Sequence, residues 1–239
     1  MKKTESTAST ANRYLGLIRS VLRSAAGPWE WIERVPHIAL YKEPKRRIRW
    51  LTPEQRQALL AALPKHQRAY VEFALETGLR QGNVIRLEWE QVDLSRQVCW
   101  IYADQAKCDE PIGVPLTERA VEILSGECGK HKSRVFTYRG RPVGQANTKA
   151  WKKALRAVGL DGFRWHDLRH AWASAHIMSG TTTAELQELG SWKSEAMVRR
   201  YAHLAPDHLR RAAAKSSEFW RTPATFSPHQ AEDGGGDAT

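Results

Sequence analysis

Two short runs rich in β-branched and aromatic residues, QVCWIYA at 97–103 and IGVPL at 112–116, interrupt a chain whose apolar residues otherwise recur at helical spacing. The segment between them, DQAKCDEP, reads as the loop or edge of a hairpin and carries Lys107. A single hairpin, with one more short strand at VFTY (135–138), cannot build a layered sheet. The expected fold is therefore mainly α with a small antiparallel β-sheet, an α+β chain without internal repeats.

Punctuation places the helices. Residues 1–10 are polar and expected to fray, after which Tyr14, Leu15, Ile18, Val21 and Leu22 mark a helix that ends at Gly27-Pro28. Trp29, Trp31 and Ile32 suggest a short second segment before Pro36. Thr52 and Pro53 announce a helix as N-cap and first helical residue, running to Leu63 and stopped by Pro64. Further helices are expected from His66 to Glu76, ending at Thr77-Gly78; from Asn83 to Trp89; from Thr117; and through Trp151 and Leu155. The rest reads as helical to about Lys215. The domain reading is residues 1–43 as a remnant of an N-terminal helical domain, 44–50 as a basic linker, 51–216 as the main domain and 217–239 as a disordered tail.

Composition narrows the partner. Lys and Arg number 37 against 26 Asp and Glu, a formal charge of +11. Such an excess favours a polyanion, and nucleic acid before membrane, because no apolar run reaches the ~20 residues of a membrane span. The first residues lack the apolar core of a secretory signal. Cys99, Cys108 and Cys128 form an odd set without metal-ligand spacing, read as reduced thiols of a cytoplasmic protein.

Residues 163–204 hold the clearest chemical pattern. His166 and Arg169, three residues apart, share one face of a helix and can address one anionic group, while Tyr201 arrives from a later helix. Each residue alone also has a plain reading. Arg80 after the Thr-Gly turn is an ordinary surface arginine and Lys107 a solvated lysine; Trp192 is core and Tyr201 half-buried packing.

Their joint order is more specific. The segments ETGLRQGNVIRLEWEQVDL, HDLRHAWAS and LGSWKSEAMVRRYAHL closely resemble the three signature boxes of the tyrosine recombinase family, the phage-integrase-like enzymes, over about residues 49–206. The resemblance implies a catalytic domain that cuts and rejoins double-stranded DNA through a covalent 3′-phosphotyrosyl intermediate, as a homo-tetramer on synapsed duplexes. It implies a prophage or similar mobile element acting in the cytoplasm on the bacterial nucleoid. It makes residues 1–43 the end of a core-binding clamp, shortened here, and 207–220 a segment that docks on a neighbouring protomer. Arg80 and Arg169 match the arginines that clamp the non-bridging oxygens of the scissile phosphate. Lys107 matches the hairpin lysine that protonates the departing 5′ oxygen. His166 matches a phosphate donor and acceptor of the tyrosine proton, and Trp192, nine positions before Tyr201, a donor from its indole N–H. Tyr201 matches the nucleophile. Its phenol, with an ordinary pKa of about 10, needs a base or a cationic surround, which Arg80, Arg169 and His166 are expected to supply. No metal and no cofactor is implied, and no ATP is needed, because the phosphotyrosyl ester conserves the energy of the broken phosphodiester.

Two departures stand out: Asn83 where the family often has an acid, and Leu-Gly-Ser-Trp where many members read Leu-Gly-His, which puts one extra residue before Trp192. A silent DNA-binding remnant and a type IB topoisomerase are the competing readings.

Overall fold

The computed structural model describes residues 7–43, 49–105, 111–204, 214, 217, 220 and 221. They fall into two compact units, Met1–Arg47 and Ile48–Thr239.

The first unit is built on α1 (Ala8–Ala26), which starts earlier than the apolar pattern implies. Thr7 caps it by accepting from the Thr10 backbone N–H, so the polar Ala8–Thr10 stretch is helical rather than frayed. The expected second segment is absent. Residues 27–34 fold into turns and bends, with Trp29 and Trp31 ring to ring at 4.7 Å. Glu30 takes a left-handed φ of 52° there, which no helix accommodates. Asn12 ties residues 41–43 to α1, its amide donating to the Tyr41 carbonyl (2.9 Å) and to Glu43 (2.8 Å). The basic stretch that follows, 44–48, lies outside the described residues.

In the second unit, α2 (Pro53–Ala62) begins with a reciprocal Thr52–Gln55 cap, and α3 (Lys65–Thr77) ends on Gly78 in the left-handed region. The helix expected over 83–89 is only α4 (Gln81–Ile85). Beyond it the backbone is claimed by residues 133–135: Val135 N–H bonds the Leu87 carbonyl and Trp89 N–H the Ser133 carbonyl. Leu87 is buried, so tertiary packing overrides helix propensity. After a 3-10 turn (Trp89–Gln91), strands β1 (Val92–Asp93), β2 (Val98–Ile101) and β3 (Ile112–Pro115) form an antiparallel sheet in the order β1-β2-β3. Cys99 pairs with Val92 on one side and Val114 on the other. Helix α5 (Glu118–Ser125), the short pair β4 (Thr137–Tyr138) and β5 (Arg141–Pro142), and α6 (Lys149–Ala157) follow.

The C-terminal part is helical but broken. Helix α7 (Trp165–Met178) ends before Gly180, α8 (Thr183–Gly190) ends at Ser191 with φ 48°, and α9 (Glu195–Arg199) leads to a 3-10 turn (Ala202–Leu204). Residues 205–213, with most of the segment expected to dock on a neighbour, lie outside the described residues.

Helix α7 joins two cores. Its first turns give Trp165 and Leu168 to the main core, where Tyr70, Phe73, Phe136 and Trp151 also lie. Its later turns give Trp172, Ala173 and Ile177 to a second cluster with Leu186, Val198 and Tyr201. Beside the main core, Glu72 of α3 is 5% exposed and takes two hydrogen bonds from Arg119 (3.0 and 3.1 Å), with Arg56 at 3.6 Å. The arginines are partly solvated, so Glu72→Ala is expected to lower stability by about 1–2 kcal/mol, less than for a fully buried pair. Urea unfolding checks this; an unchanged midpoint would mean the network is ornamental.

Candidate active site

The site begins with the entry to α7. Arg164 occupies the N-cap, and the Asp167 carboxylate accepts from its backbone N–H (2.8 Å) and pairs with its guanidinium (2.9 Å). Burial would raise the Asp167 pKa, but the Arg164 bonds outweigh it and hold the carboxyl below its usual range. The Asp of His-Asp-Leu-Arg-His thus fixes the first turn, and the helical repeat sets His166, Arg169 and His170 around one face.

Arg169 is 6% exposed, and its guanidinium donates to two backbone carbonyls: that of Gly78 at the end of α3 (2.7 Å) and that of Gly190 at the end of α8. Its plane lies over the Trp192 ring, 4.2 Å from the centroid. Trp192 in turn stacks near Trp172 (6.0 Å) and Tyr201 (6.1 Å). Both carbonyl-bearing glycines are obligatory. A Cβ on Gly190 would meet the Trp192 ring at 1.9 Å, and one on Gly78, where φ is +64°, would meet Trp172 at 2.3 Å. The extra residue Ser191 adopts the left-handed turn that swings the Trp192 ring back over Gly190, with the Trp192 backbone N–H donating to the Gln187 carbonyl. Burial, then repulsion from Arg80, brings the Arg169 pKa down to about 10, which leaves it charged at neutral pH.

Arg80, half-buried, caps α4 directly after the Gly78 turn and is close enough to repel both Arg169 and His166. Its side chain makes no capping hydrogen bond to that helix. Tyr201 is 1% exposed, and its hydroxyl oxygen lies 2.5 Å from Nδ1 of His170, a residue the His-x-x-Arg pattern passes over. The missed signal is position: His170 is one helical turn beyond His166, and the rings meet edge to face at 4.9 Å. The cationic surround was expected to favour the phenolate. Burial acts against it more strongly than Arg200 and Arg169 act for it, and the Tyr201 pKa is raised. Lys107 lies outside the described residues, and the Asn83 amide nitrogen is buried without a partner among them. The site therefore unites Arg80, His166, Arg169, Trp192 and Tyr201 and adds His170.

The histidines make the fold acid-sensitive. Burial lowers the pKa of His66, His170 and His176, that of His170 down to about 4. Between about pH 6.5 and 4 the unfolded chain binds more protons than the folded one, so stability present above the unfolded pKa is lost as pH falls. His170 alone accounts for roughly 2–3 kcal/mol of this at neutral pH. Urea midpoints should fall steadily from pH 7.5 to 4.5; a flat profile would contradict the burial of these rings.

Among the described residues no helix is long and apolar enough to cross a membrane. The sequence matches the family model described as the phage integrase family over residues 49–208. It is 39% identical over 235 residues to the integrase of Salmonella phage P22, covering 92% of this chain and 60% of that one. It is 28% identical over 233 residues to a shufflon-specific DNA recombinase of Escherichia coli, with 94% and 59% covered. The chain thus spans about 60% of the length of these curated relatives. The solved structure of the Tn1549 transposon integrase in complex with a circular intermediate DNA has the same fold at 16% identity, with a TM-score of 0.77 over 90% of this chain and 82% of that one. With the family match spanning the box that holds Arg80, the box that holds His166 and Arg169, and the box that ends in Tyr201, this chain belongs to the phage integrase family of tyrosine recombinases.

Proposed function

We propose that this chain carries out site-specific DNA recombination, cutting one strand of a duplex through Tyr201 and rejoining it to another. The observation that carries the reading is that Tyr201, from the segment after α9, meets α7 at His170, the residue next to Arg169, whose guanidinium is held at the ends of α3 and α8. The names of the similar proteins, an integrase and a DNA recombinase, point the same way.

In this reading Arg80 and Arg169 bind the non-bridging oxygens of the scissile phosphate. Arg169 has donors left after serving its two carbonyls, since a guanidinium carries five N–H groups. His166, exposed at the start of α7, donates to the same phosphate. Trp192 acts by holding the Arg169 plane, and Lys107 protonates the leaving 5′ oxygen. Tyr201 is buried on the turn that follows the short α9, with its hydroxyl against α7. The first unit serves as part of a clamp on the duplex. The working assembly is a homo-tetramer on two duplexes in the cytoplasm, at the nucleoid.

The test uses a pool of nicked duplexes of randomised sequence, on which a cut strand loses its short 5′-hydroxyl fragment and the protein stays attached. The chain is expected to give a denaturation-resistant protein–DNA band, and Tyr201→Phe to abolish it while still shifting DNA in a native gel. A band that persists in Tyr201→Phe would rule out Tyr201 as nucleophile.

A further inference from the structure

We propose that His170, and not His166, takes the proton of the Tyr201 hydroxyl when the phosphotyrosyl bond forms. The proposal rests on the recombination reading and assigns a role to a residue outside the His-x-x-Arg pattern.

Geometry comes first. Nδ1 of His170 is 2.5 Å from the Tyr201 oxygen, and the two rings are 5.8 Å apart and tilted, so the contact is made edge-on through the nitrogen rather than by stacking. The ring contact His166 makes is with His170, at 4.9 Å, and no His166–Tyr201 contact is found among the described residues. With the proton on Nε2, the Nδ1 lone pair accepts from the hydroxyl, which leaves the phenol oxygen's own lone pairs free for phosphorus.

The surroundings keep His170 ready for this. The charged and titratable groups facing it are His166, Asp167 and Arg164 from α7 and its cap, and Arg200 and Tyr201 from the segment after α9. Burial, then His166 and the Arg200 and Arg164 cations, disfavour the imidazolium, and only Asp167 favours it; the ring is neutral at pH 7. Tyr201 is held protonated by its own burial, so transfer between the two is uphill in the free chain. A phosphodiester brought in by Arg80, Arg169 and His166 adds a negative charge beside the pair and raises the proton affinity of His170. The nucleophile is thereby switched on by the arrival of its substrate, and water meets an inert phenol in its absence.

The step balances. The Tyr201 oxygen forms a bond to phosphorus, the bond from phosphorus to the 5′ oxygen breaks, the phenolic proton passes to His170 Nδ1, and the 5′ oxygen takes a proton from the general acid, assigned to Lys107. In religation the incoming 5′ hydroxyl yields its proton to Lys107, the ester breaks, and His170 returns its proton to Tyr201.

The plain alternative is a packing contact between α7 and the turn after α9. His170→Gln separates the two, because a glutamine oxygen can still accept from the hydroxyl but cannot carry its proton away. On the nicked duplexes, single-turnover adduct formation is expected to slow about a hundredfold or more in both His170→Ala and His170→Gln. Added imidazole should restore part of the His170→Ala rate, and the rates of both variants should rise with hydroxide concentration where the unaltered chain levels off. His166→Gln should keep that levelling. A His170→Gln chain with the original rate and pH profile, or a His170→Ala chain that reacts faster, overturns the assignment. Side-chain nitrogen NMR of the DNA-free protein tests the pair without turnover. Tyr201→Phe, which removes the donor that favours neutral imidazole, should raise the His170 titration point and leave that of His176 in place. An unmoved His170 titration refutes the contact, whereas failure of the unaltered chain to form any adduct would count against the recombination reading.

Discussion

Arg169→Lys is expected to slow DNA cleavage by a hundredfold or more and also to destabilise the second unit by about 2–4 kcal/mol. The positive charge survives the change, so both losses are geometric. An ammonium presents three donors around one atom and cannot span the Gly78 and Gly190 carbonyls while lying flat on Trp192. Each buried carbonyl left without its donor costs about 1–3 kcal/mol, and under the proposed recombination reading the scissile phosphate would also lose hydrogen bonds from the guanidinium. The two effects separate in measurement: urea unfolding reports the first, and single-turnover adduct formation below the unfolding midpoint reports the second. A lysine variant with an unchanged urea midpoint would show that Arg169 does not tie α3 to α8.

A methyl group at either glycine should be nearly as damaging. Gly190→Ala places a Cβ inside the Trp192 ring, and overpacking of this kind costs about 1–3 kcal/mol even after the neighbours shift. Gly78→Ala collides with Trp172 and must also hold a left-handed φ of +64°, adding about 1–2 kcal/mol, for a total of roughly 2–5 kcal/mol. Neither site can relax freely, because the two indoles stack on each other and Trp192 supports the Arg169 plane. A shift at one glycine therefore moves the guanidinium and is expected to lower the proposed cleavage as well as stability. The double-mutant cycle is decisive: in a Trp192→Ala background, Gly190→Ala should become nearly neutral. Equal costs in the two backgrounds would place the strain elsewhere.

The hairpin, the caps at Thr52 and Thr117 and the glycine stop at residue 78 were legible in the sequence because each is a local decision with a local signature. The family boxes singled out Arg80, His166, Arg169, Trp192 and Tyr201 as candidates because their order along the chain is itself a pattern. Contacts without sequence regularity were not legible. The early end of α4 depends on residues 133–135 competing for the backbone at 87–89, a separation that no helical repeat registers. The His170–Tyr201 contact joins residues 31 apart, and only the packing of the turn after α9 against α7 brings them together. The raised pKa of Tyr201 escaped for the same reason, since counting nearby cations omits the burial that outweighs them.

Covalent capture tests the central claim most directly. After reaction with the nicked duplex pool, the adduct is digested and the nucleotide-bearing peptide is identified by mass spectrometry, with the polarity of the attached strand read from its free end. The expected result is a 3′-phosphate ester on Tyr201 and on no other residue, with a free 5′ hydroxyl released. A 5′ linkage, an ester on a different side chain, or no covalent species across the whole pool would contradict it.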